Sequence, residues 1–367
     1  MSRKYYVASD DEEYSASSRV EIGNHRERPV KGECIMEQRK IGNTDLVCSA
    51  IGFGTWEMST TMYGDINVNK VSRAVNAAID HGITLFDTAE VYGPFHSEKL
   101  LAEALGERRK EITLVTKVGF HYSDEGRITG TNSKHDYVIE RTEGCLQRLQ
   151  TDVIDLLLIH WRDHDTPLDE TVGALEKLKK DGKIRYYGVS NFDIEMMEVC
   201  QQHGSLAANQ VGYHLFDRRM EKEVLPYCLE HNIGFMGYGT LGFGLLTGAF
   251  TPETTFARND WRSYMSPFGL PLFERDHFLR ELQVGKRLAE LADGYGKSLA
   301  QLAIAWVLGH PAVSVALVGM RNEQELKENV AAAEWQLSSE DRAEIGRIFE
   351  EEGVPTYINE PQALRAQ

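Results

Sequence analysis

The stretch ITLFDTAEVYGPFHSEKLLAEALGERRKEITLVTKVG, residues 83–119, predicts a strand, a helix and a second strand. Its apolar runs, ITLFDTA (83–89) and ITLVTKVG (112–119), are typical of a parallel sheet that is covered on both faces. The helix between them is predicted to begin at a Ser97 cap, with Glu98 in its first turn, where the helix dipole favours a carboxylate. The stretch therefore predicts a parallel β-α-β unit.

The same pattern repeats along the chain and gives eight strand–helix units. The other six apolar runs are AIGFGTW (50–56), IDLLLIHW (154–161), IRYYGVSN (184–191), AANQVGY (207–213), GFMGYGTL (234–241) and VSVALVG (313–319). Eight units favour closure into a (β/α)8 TIM barrel, an α/β fold, whereas an open doubly wound sheet is the competing arrangement. The polar turn Gly42-Asn43-Thr44-Asp45 between two short runs predicts an N-terminal β-hairpin.

Several segments interrupt or extend the repeat. Residues 242–277, after the seventh strand, show no helical period, and structureless loops of this length are usually functional. Residues 338–353 open with a serine cap and a 3.6-residue period, which predicts an extra C-terminal helix. Residues 1–37 are polar and aperiodic, and we predict a flexible N-terminal arm there. A single barrel domain at 38–353 and a C-terminal tail at 354–367 complete this prediction.

Composition excludes several classes of function. The chain has 367 residues, of which 42% are hydrophobic and 26% charged, as in globular proteins. Its formal net charge of −16 argues against a nucleic-acid partner, because acidic surfaces repel phosphate backbones. No run approaches the ~18 apolar residues of a membrane span. The five unpatterned cysteines and the lack of an apolar secretory signal predict a cytoplasmic protein; monomer and oligomer both stay open.

Four side chains suited to acid–base chemistry lie where predicted strands end: Asp87, Tyr92, Lys117 and His160. In a barrel these ends meet on one face, which carries the chemistry. A nearby ammonium lowers the pKa of a tyrosine from about 10. We therefore expect Asp87 to hold Lys117 charged, His160 to donate to a substrate oxygen, and Tyr92 to protonate a carbonyl while a hydride reaches its carbon. Each residue alone also has a structural explanation, and their combination predicts catalysis.

Two other motifs carry less weight. GYGTLG (237–242) matches the dinucleotide-binding fingerprint, but no helical pattern follows it. His160 and His164 leave a strand and lack an evident third ligand, so no metal is predicted. A metal-dependent barrel hydrolase or isomerase stays open as an alternative, and metal analysis would test it.

The motifs resemble the aldo-keto reductase superfamily from about residue 38 to 350. In the family's order and spacing they are FDTAEVYG (86–93), TKVG (116–119), LLLIHW (156–161), GVSN (188–191), NQVGY (209–213), GLLTG (244–248), NDWRS (259–263) and VGMRNEQELKENV (318–330). The loop with NDWRS is most similar to the bacterial branches that act on sugars and aldehydes. The resemblance implies a TIM barrel that binds a nicotinamide cofactor without a Rossmann fold.

The resemblance also implies roles for single residues. Asp87, Tyr92, Lys117 and His160 fall on the family's catalytic tetrad, with Tyr92 as proton donor. The implied cofactor-binding residues are Gly54, Thr55, Trp56, Asp87, Ser190, Asn191, Gln210, Tyr238, Gly239, Leu241, Gly244, Gly319, Arg321, Glu328 and Asn329. The implied substrate-binding residues are Trp56, Tyr92, His160, Trp161 and Arg162. Arg321 favours NADP(H), because a guanidinium can bind the 2′-phosphate of that cofactor. Glu325, four residues on, favours NAD(H), because it can pair with Arg321.

The implied function is an NAD(P)H-dependent oxidoreductase that reduces an aldehyde, a ketone or a sugar derivative to an alcohol. Two alternatives stay open: an NAD-dependent sugar or alcohol dehydrogenase working in the oxidative direction, and a regulatory cofactor-binding barrel subunit with little catalysis. The complete tetrad favours an enzyme. The sequence departs from the family at Gly239-Thr240, where Ser-Pro is usual, and at Phe95, where glycine is usual and the larger ring is expected to narrow the substrate mouth.

Overall fold

Eight parallel strands close into a barrel in the computed structural model, as the sequence repeat predicted. The structure describes residues 36–59, 63, 67–264 and 266–360. The strands in these ranges are β1 (Gln38–Lys40), β2 (Val47–Ser49), β3 (Ile51–Gly54), β4 (Leu85–Asp87), β5 (Thr113–Val118), β6 (Phe120–Tyr122), β7 (Ile128–Thr131), β8 (Ile154–Ile159), β9 (Ile184–Ser190), β10 (Ala208–Gly212), β11 (Gly234–Tyr238) and β12 (Val313–Gly319). The barrel order is β3-β4-β5-β8-β9-β10-β11-β12, and β12 pairs back onto β3.

Helices cover the barrel wall with their apolar faces. The helices of the described chain are α1 (Val68–Asp80), α2 (His96–Leu105), α3 (His135–Arg148), α4 (Leu168–Lys180), α5 (Ile194–His203), α6 (Val224–Glu230), α7 (Arg275–Asp293), α8 (Leu299–Leu308), α9 (Glu323–Val330) and α10 (Ser339–Glu352). The extra C-terminal helix is α10, and its Ser338 cap forms a capping box with Asp341.

The hairpin β1–β2 closes the amino-terminal end of the barrel. Ile41 and Leu46, in its turn, are buried with the residues inside the barrel, such as Leu85 and Val115. The Arg39 guanidinium donates to the backbone oxygen of the first β12 residue at 2.8 Å. The hairpin therefore covers this end of the barrel interior, and the carboxyl ends of the strands form the open face.

Two local predictions differ from the structure. Ser97 is not the cap of α2: the cap is Phe95, at φ +67° and two residues earlier, and Ser97 is buried inside the helix. The cause is a tight turn in which the Phe95 N–H donates to the Glu90 oxygen at 2.7 Å. The hairpin β6–β7 was not predicted, because residues 128–130 are exposed and carry no apolar alternation.

The long loop after the seventh barrel strand is present but anchored. It contains short 3-10 turns at Gly242–Thr247, Trp261–Ser263 and Pro267–Gly269. Trp261 is 1% exposed. Because α7 already begins at Arg275, the loop ends slightly earlier than predicted.

The ends of the chain are described only in part. Residues 1–35 of the predicted arm and residues 361–367 of the predicted tail lie outside the described residues. Met36 is buried, and the Arg218 N–H donates to the Thr356 oxygen at 2.9 Å. No helix in the described ranges has the length and apolar character needed to cross a membrane.

Candidate active site

A cavity of about 330 Å³ opens at the carboxyl ends of the barrel strands. Thirteen of the predicted site residues line it: Gly54, Trp56, Asp87, Tyr92, Gln210, Tyr238, Gly239, Leu241, Gly244, Gly319, Arg321, Glu328 and Asn329. Five of these, among them Asp87 and Tyr238, are the last residue of a barrel strand or the first beyond it. The alternation of strand and helix therefore brings distant parts of the sequence to one cavity.

Lys117 is the centre of the polar network. Its Nζ donates to Asp87 Oδ2 at 2.7 Å, to the Thr88 backbone oxygen at 2.9 Å and to the Tyr92 hydroxyl at 3.2 Å. Gln210 Nε2 donates to the other Asp87 oxygen at 2.7 Å. The Lys117 side chain is fully buried, so its position is fixed by these bonds. Asp87, Tyr92 and Lys117 are thus brought together as the sequence predicted.

Burial controls the protonation of this network. It raises the pKa of Asp87 and lowers the pKa of Lys117, and their ion pair opposes both shifts. Burial also raises the pKa of the Tyr92 hydroxyl well above 10, with smaller contributions from Asp87 and Glu57. The pKa of Tyr92 is therefore not lowered as expected from Lys117, because burial raises it and the nearby Asp87 carboxylate raises it further. Tyr92 therefore holds its proton at neutral pH.

His160 lies beside Tyr92, with the two ring centroids 5.9 Å apart. Burial and the charge of Lys117 lower the pKa of His160 well below 6.5, so the ring is neutral. Its Nδ1 is buried without a hydrogen-bond partner in the described structure. His160 therefore has a buried polar atom with unused hydrogen-bonding capacity on a ring that packs against the Tyr92 ring.

Two buried ion pairs support the turn that carries Tyr92. Glu90 accepts from Arg141 Nε at 2.8 Å, and Glu98 accepts from Arg148 Nε at 2.5 Å. The Phe95 ring lies under both guanidinium groups, with centroid distances of 5.0 and 4.7 Å. Phe95 therefore packs away from the cavity and does not narrow its mouth.

The remaining predicted residues lie around the cavity without lining it. They include Thr55, Lys117 and Ser190, which are buried, and His160, which is half-buried. Asn191 is held by the Tyr238 hydroxyl, which donates to its Oδ1 at 2.8 Å. Trp161 is buried and stacks on Phe268 at 6.0 Å. The Arg162 guanidinium donates to the Asp163 backbone oxygen, so it is held at its own turn.

Several lining residues were missed by the sequence reasoning. They are Glu57, Tyr63, Thr240, Phe243, Thr247, Ala249, Phe250, Arg262, Ala300, Leu317 and Val318. Trp56 stacks on Trp261 with 5.4 Å between the ring centroids, which brings the long loop against the turn that follows β3. The NDWRS motif pointed to this loop, but the contact depends on tertiary packing.

The outer end of the cavity carries a second ion pair. Arg321 Nη2 lies 3.0 Å from Glu325 Oε1, and the Arg321 backbone N–H donates to the other carboxylate oxygen at 2.8 Å. Both side chains line the cavity together with Glu328 and Asn329. Within the described ranges, no cluster of three or more metal-ligating side chains is found.

A closed parallel barrel with its cavity at the carboxyl ends of the strands defines the class of TIM-barrel enzymes. The chain belongs to the aldo/keto reductase family of oxidoreductases, whose sequence model matches residues 50–350. It is 38% identical over 318 residues to the aldo-keto reductase YhdN of Bacillus subtilis (strain 168), covering 86% of this chain and 94% of that protein.

Two further proteins are similar over most of their length. The NADH-specific methylglyoxal reductase of Escherichia coli (strain K12) is 31% identical over 324 residues, covering 83% of this chain and 96% of that protein. The solved structure of the glycerol dehydrogenase AKR11B4 from Gluconobacter oxydans has a TM-score of 0.79 and 35% identity, covering 87% of this chain and 96% of that chain.

Proposed function

We propose that the protein is an NADP(H)-dependent carbonyl reductase that converts a small aldehyde, ketone or sugar-like carbonyl to an alcohol. The observation that carries this proposal is the Lys117 ammonium, which binds the Asp87 carboxylate and the Tyr92 hydroxyl together beside the cavity. The family membership supports the same chemistry. The four described cysteines are buried free thiols, which suits the cytoplasmic location that we infer from the sequence.

The residues present fit a nicotinamide dinucleotide. Thr55 Oγ1 and His160 Nδ1 are buried polar atoms without a partner among the described residues, so each has capacity for a polar ligand group. Gly239 has φ +70°, and a Cβ there would come within 3.0 Å of the Phe243 ring, so the turn beside the cavity requires glycine. When bound, a reduced nicotinamide would supply the hydride.

The chain's own residues would handle the proton. Tyr92 holds it on the hydroxyl and would deliver it to the carbonyl oxygen of the substrate. Lys117, 3.2 Å from that hydroxyl, stabilises the phenolate that remains. Asp87 holds the Lys117 ammonium in place, and Gln210 in turn holds the Asp87 carboxylate. A positioned general acid of this kind contributes about 10²–10⁴-fold to the rate.

The neighbour named as a glycerol dehydrogenase favours a second direction for the same site, oxidation of a polyol. In that direction Tyr92 would act as a phenolate, stabilised by Lys117, and would accept the proton of the alcohol. A panel of 4-nitrobenzaldehyde, methylglyoxal and aldoses with NADPH and NADH, and of glycerol with the oxidised cofactors, separates the two directions by the change in reduced-cofactor absorbance.

Tyr92→Phe tests the proton donor. We expect kcat to fall by about 100-fold or more, because the variant keeps the ring and removes the acid. NADPH binding, measured by tryptophan fluorescence, should stay close to that of the wild type. Tyr63→Phe is the matched control, since Tyr63 lines the same cavity and is not bonded to Lys117. A Tyr92→Phe enzyme that keeps more than about a tenth of the wild-type rate would contradict the proposal.

A further inference from the structure

Glu57 is a further acidic residue that lines the cavity. It lies in the 3-10 turn Trp56–Met58 that follows β3. Its carboxylate lies directly against the backbone of Gly319, the last residue of β12, where a Cβ would overlap it. The glycine therefore allows a carboxyl group to approach the end of β12 at the wall of the cavity.

The cavity wall is acidic even before a ligand binds. Its charged lining side chains are the four acids Glu57, Asp87, Glu325 and Glu328 and the two cations Arg262 and Arg321. Arg262 already binds Asp260 at 2.6 Å, and Arg321 binds Glu325 at 3.0 Å. A dinucleotide brings at least two phosphate charges to this wall, so an ionised Glu57 would oppose its binding.

Several groups face Glu57 from the elements around it. The charged side chains are those of Arg321, Glu325 and Arg262, and the titratable hydroxyls are those of Tyr63 and Tyr92. Burial, partly opposed by the two arginines and by the backbone N–H of Glu57, raises the pKa of Glu57 to about 7. The pKa values of both tyrosines are raised well above 10, so they stay neutral. Glu57 therefore changes its charge near neutral pH.

Resting on the proposed function, we propose that Glu57 binds the phosphate-bearing part of the dinucleotide in its protonated form, so that cofactor binding takes up a proton at this carboxyl. A protonated carboxyl has an O–H donor for a phosphate oxygen, whereas a carboxylate only accepts. Phosphate charge nearby raises the pKa of Glu57 further, so affinity falls as pH rises above the pKa of the free protein. The fall approaches tenfold per pH unit, about 1.4 kcal/mol.

Calorimetric titration with NADH tests the inference without any turnover. NADH lacks the 2′-phosphate, whose own second proton dissociates near pH 6 and would add to the signal. Titrations in two buffers of different ionisation enthalpy count the protons taken up on binding. For the wild type we expect uptake approaching one proton near pH 8 and a Kd that rises by about 10–30-fold between pH 6 and 8.5.

Glu57→Gln keeps the size of the side chain and removes its titration. We expect this variant to lose the proton uptake and to bind NADH with a nearly pH-independent Kd. Glu323→Gln is the matched control, because Glu323 is an exposed acid of α9 that pairs with Arg73 at 3.7 Å outside the cavity. It should keep the wild-type pH dependence.

The outcomes separate this inference from the proposed function. Wild-type binding without proton uptake, or uptake that survives in Glu57→Gln, would overturn the role of Glu57 and leave the reductase proposal intact. Failure of the wild type to bind NADH or NADPH at any pH would overturn the proposed function and this inference with it. The wild-type measurement decides even if the variant folds poorly.

Discussion

Arg321 and Glu325 both line the cavity, and we expect them to decide between NADP(H) and NAD(H). The guanidinium is 59% exposed and already pairs with Glu325, so a phosphate must compete with that carboxylate. We expect Arg321→Ala to weaken NADPH binding by about 1.5–3 kcal/mol and to leave NADH binding little changed. Glu325→Gln should strengthen NADPH binding relative to NADH, because it releases the guanidinium. Tryptophan quenching gives both dissociation constants; equal losses for the two cofactors in Arg321→Ala would contradict an NADP(H) preference.

Single residues show how far sequence reasoning reaches. Asp87 and Lys117 were predictable because they end strands, and strand ends converge in a barrel. The direction of the Tyr92 pKa was predicted wrongly, since the sequence gives no measure of burial or of how the Lys117 charge is divided between its neighbours. Glu57 was missed because its place depends on the close approach of two strands that are far apart in the sequence.

The loop between β11 and α7 combines an exposed tip with an anchored base. Residues 257–259 are exposed, while Arg262 lines the cavity and is bound to Asp260. We expect residues 249–277 to act as a mobile cover, so trypsin should cut after Arg258 in the free protein and more slowly with NADPH present. Mass spectrometry of the fragments measures both rates, with Arg258→Gln as the control that removes the cut. Identical rates with and without NADPH would count against a cover.

Helix α7 buries an acid to which no cation is bonded within the described part of the chain. Glu281 is 2% exposed, one of its oxygens lacks a hydrogen-bond partner in the described structure, and burial raises its pKa to about 8. The folded state then holds a proton that the unfolded state releases above pH ~4.5, so stability falls as pH rises towards 8. We expect Glu281→Gln to gain stability relative to the wild type by up to about 1.4 kcal/mol per pH unit in this range.

Urea unfolding at pH 5, 6.5 and 8 measures this difference. Glu290→Gln, an exposed acid on the same helix, is the control and should follow the wild type. A difference between Glu281→Gln and the wild type that stays constant with pH would show that the carboxyl does not titrate in the folded state.

A helix or strand could be predicted where its sequence has a clear pattern of apolar residues. The eight barrel strands are mostly buried and most of their residues are apolar, so each gave a clear signal. The hairpin β6–β7 is short and mostly exposed on β7, and its sequence carries no comparable signal. The cap of α2 was misplaced by two residues because Phe95, a residue type that rarely adopts positive φ, ends the preceding turn.

The whole molecule carries a net charge of −16, and the dinucleotide that we propose as its cofactor is an anion. Repulsion between like charges slows the encounter of protein and cofactor, and salt screens it. The Debye length is about 30 Å at about 0.01 M salt and about 8 Å at about 0.15 M, so the encounter is slower at the lower concentration. We expect the association rate of NADPH in stopped-flow experiments to rise severalfold over that range. A fall with salt would show that Arg262 and Arg321 dominate the field that the cofactor meets.

Closure of the barrel by β12 against β3 has a consequence for the chain as it leaves the ribosome. Ile51 pairs with Ala316, so the first barrel strand waits for a partner that is made some 260 residues later. At bacterial or eukaryotic rates of about 5–20 residues per second, that interval lasts roughly 15–50 s. During this time the edge of β3 and its apolar side chains have no final neighbour, which is the condition under which nascent chains aggregate or recruit chaperones.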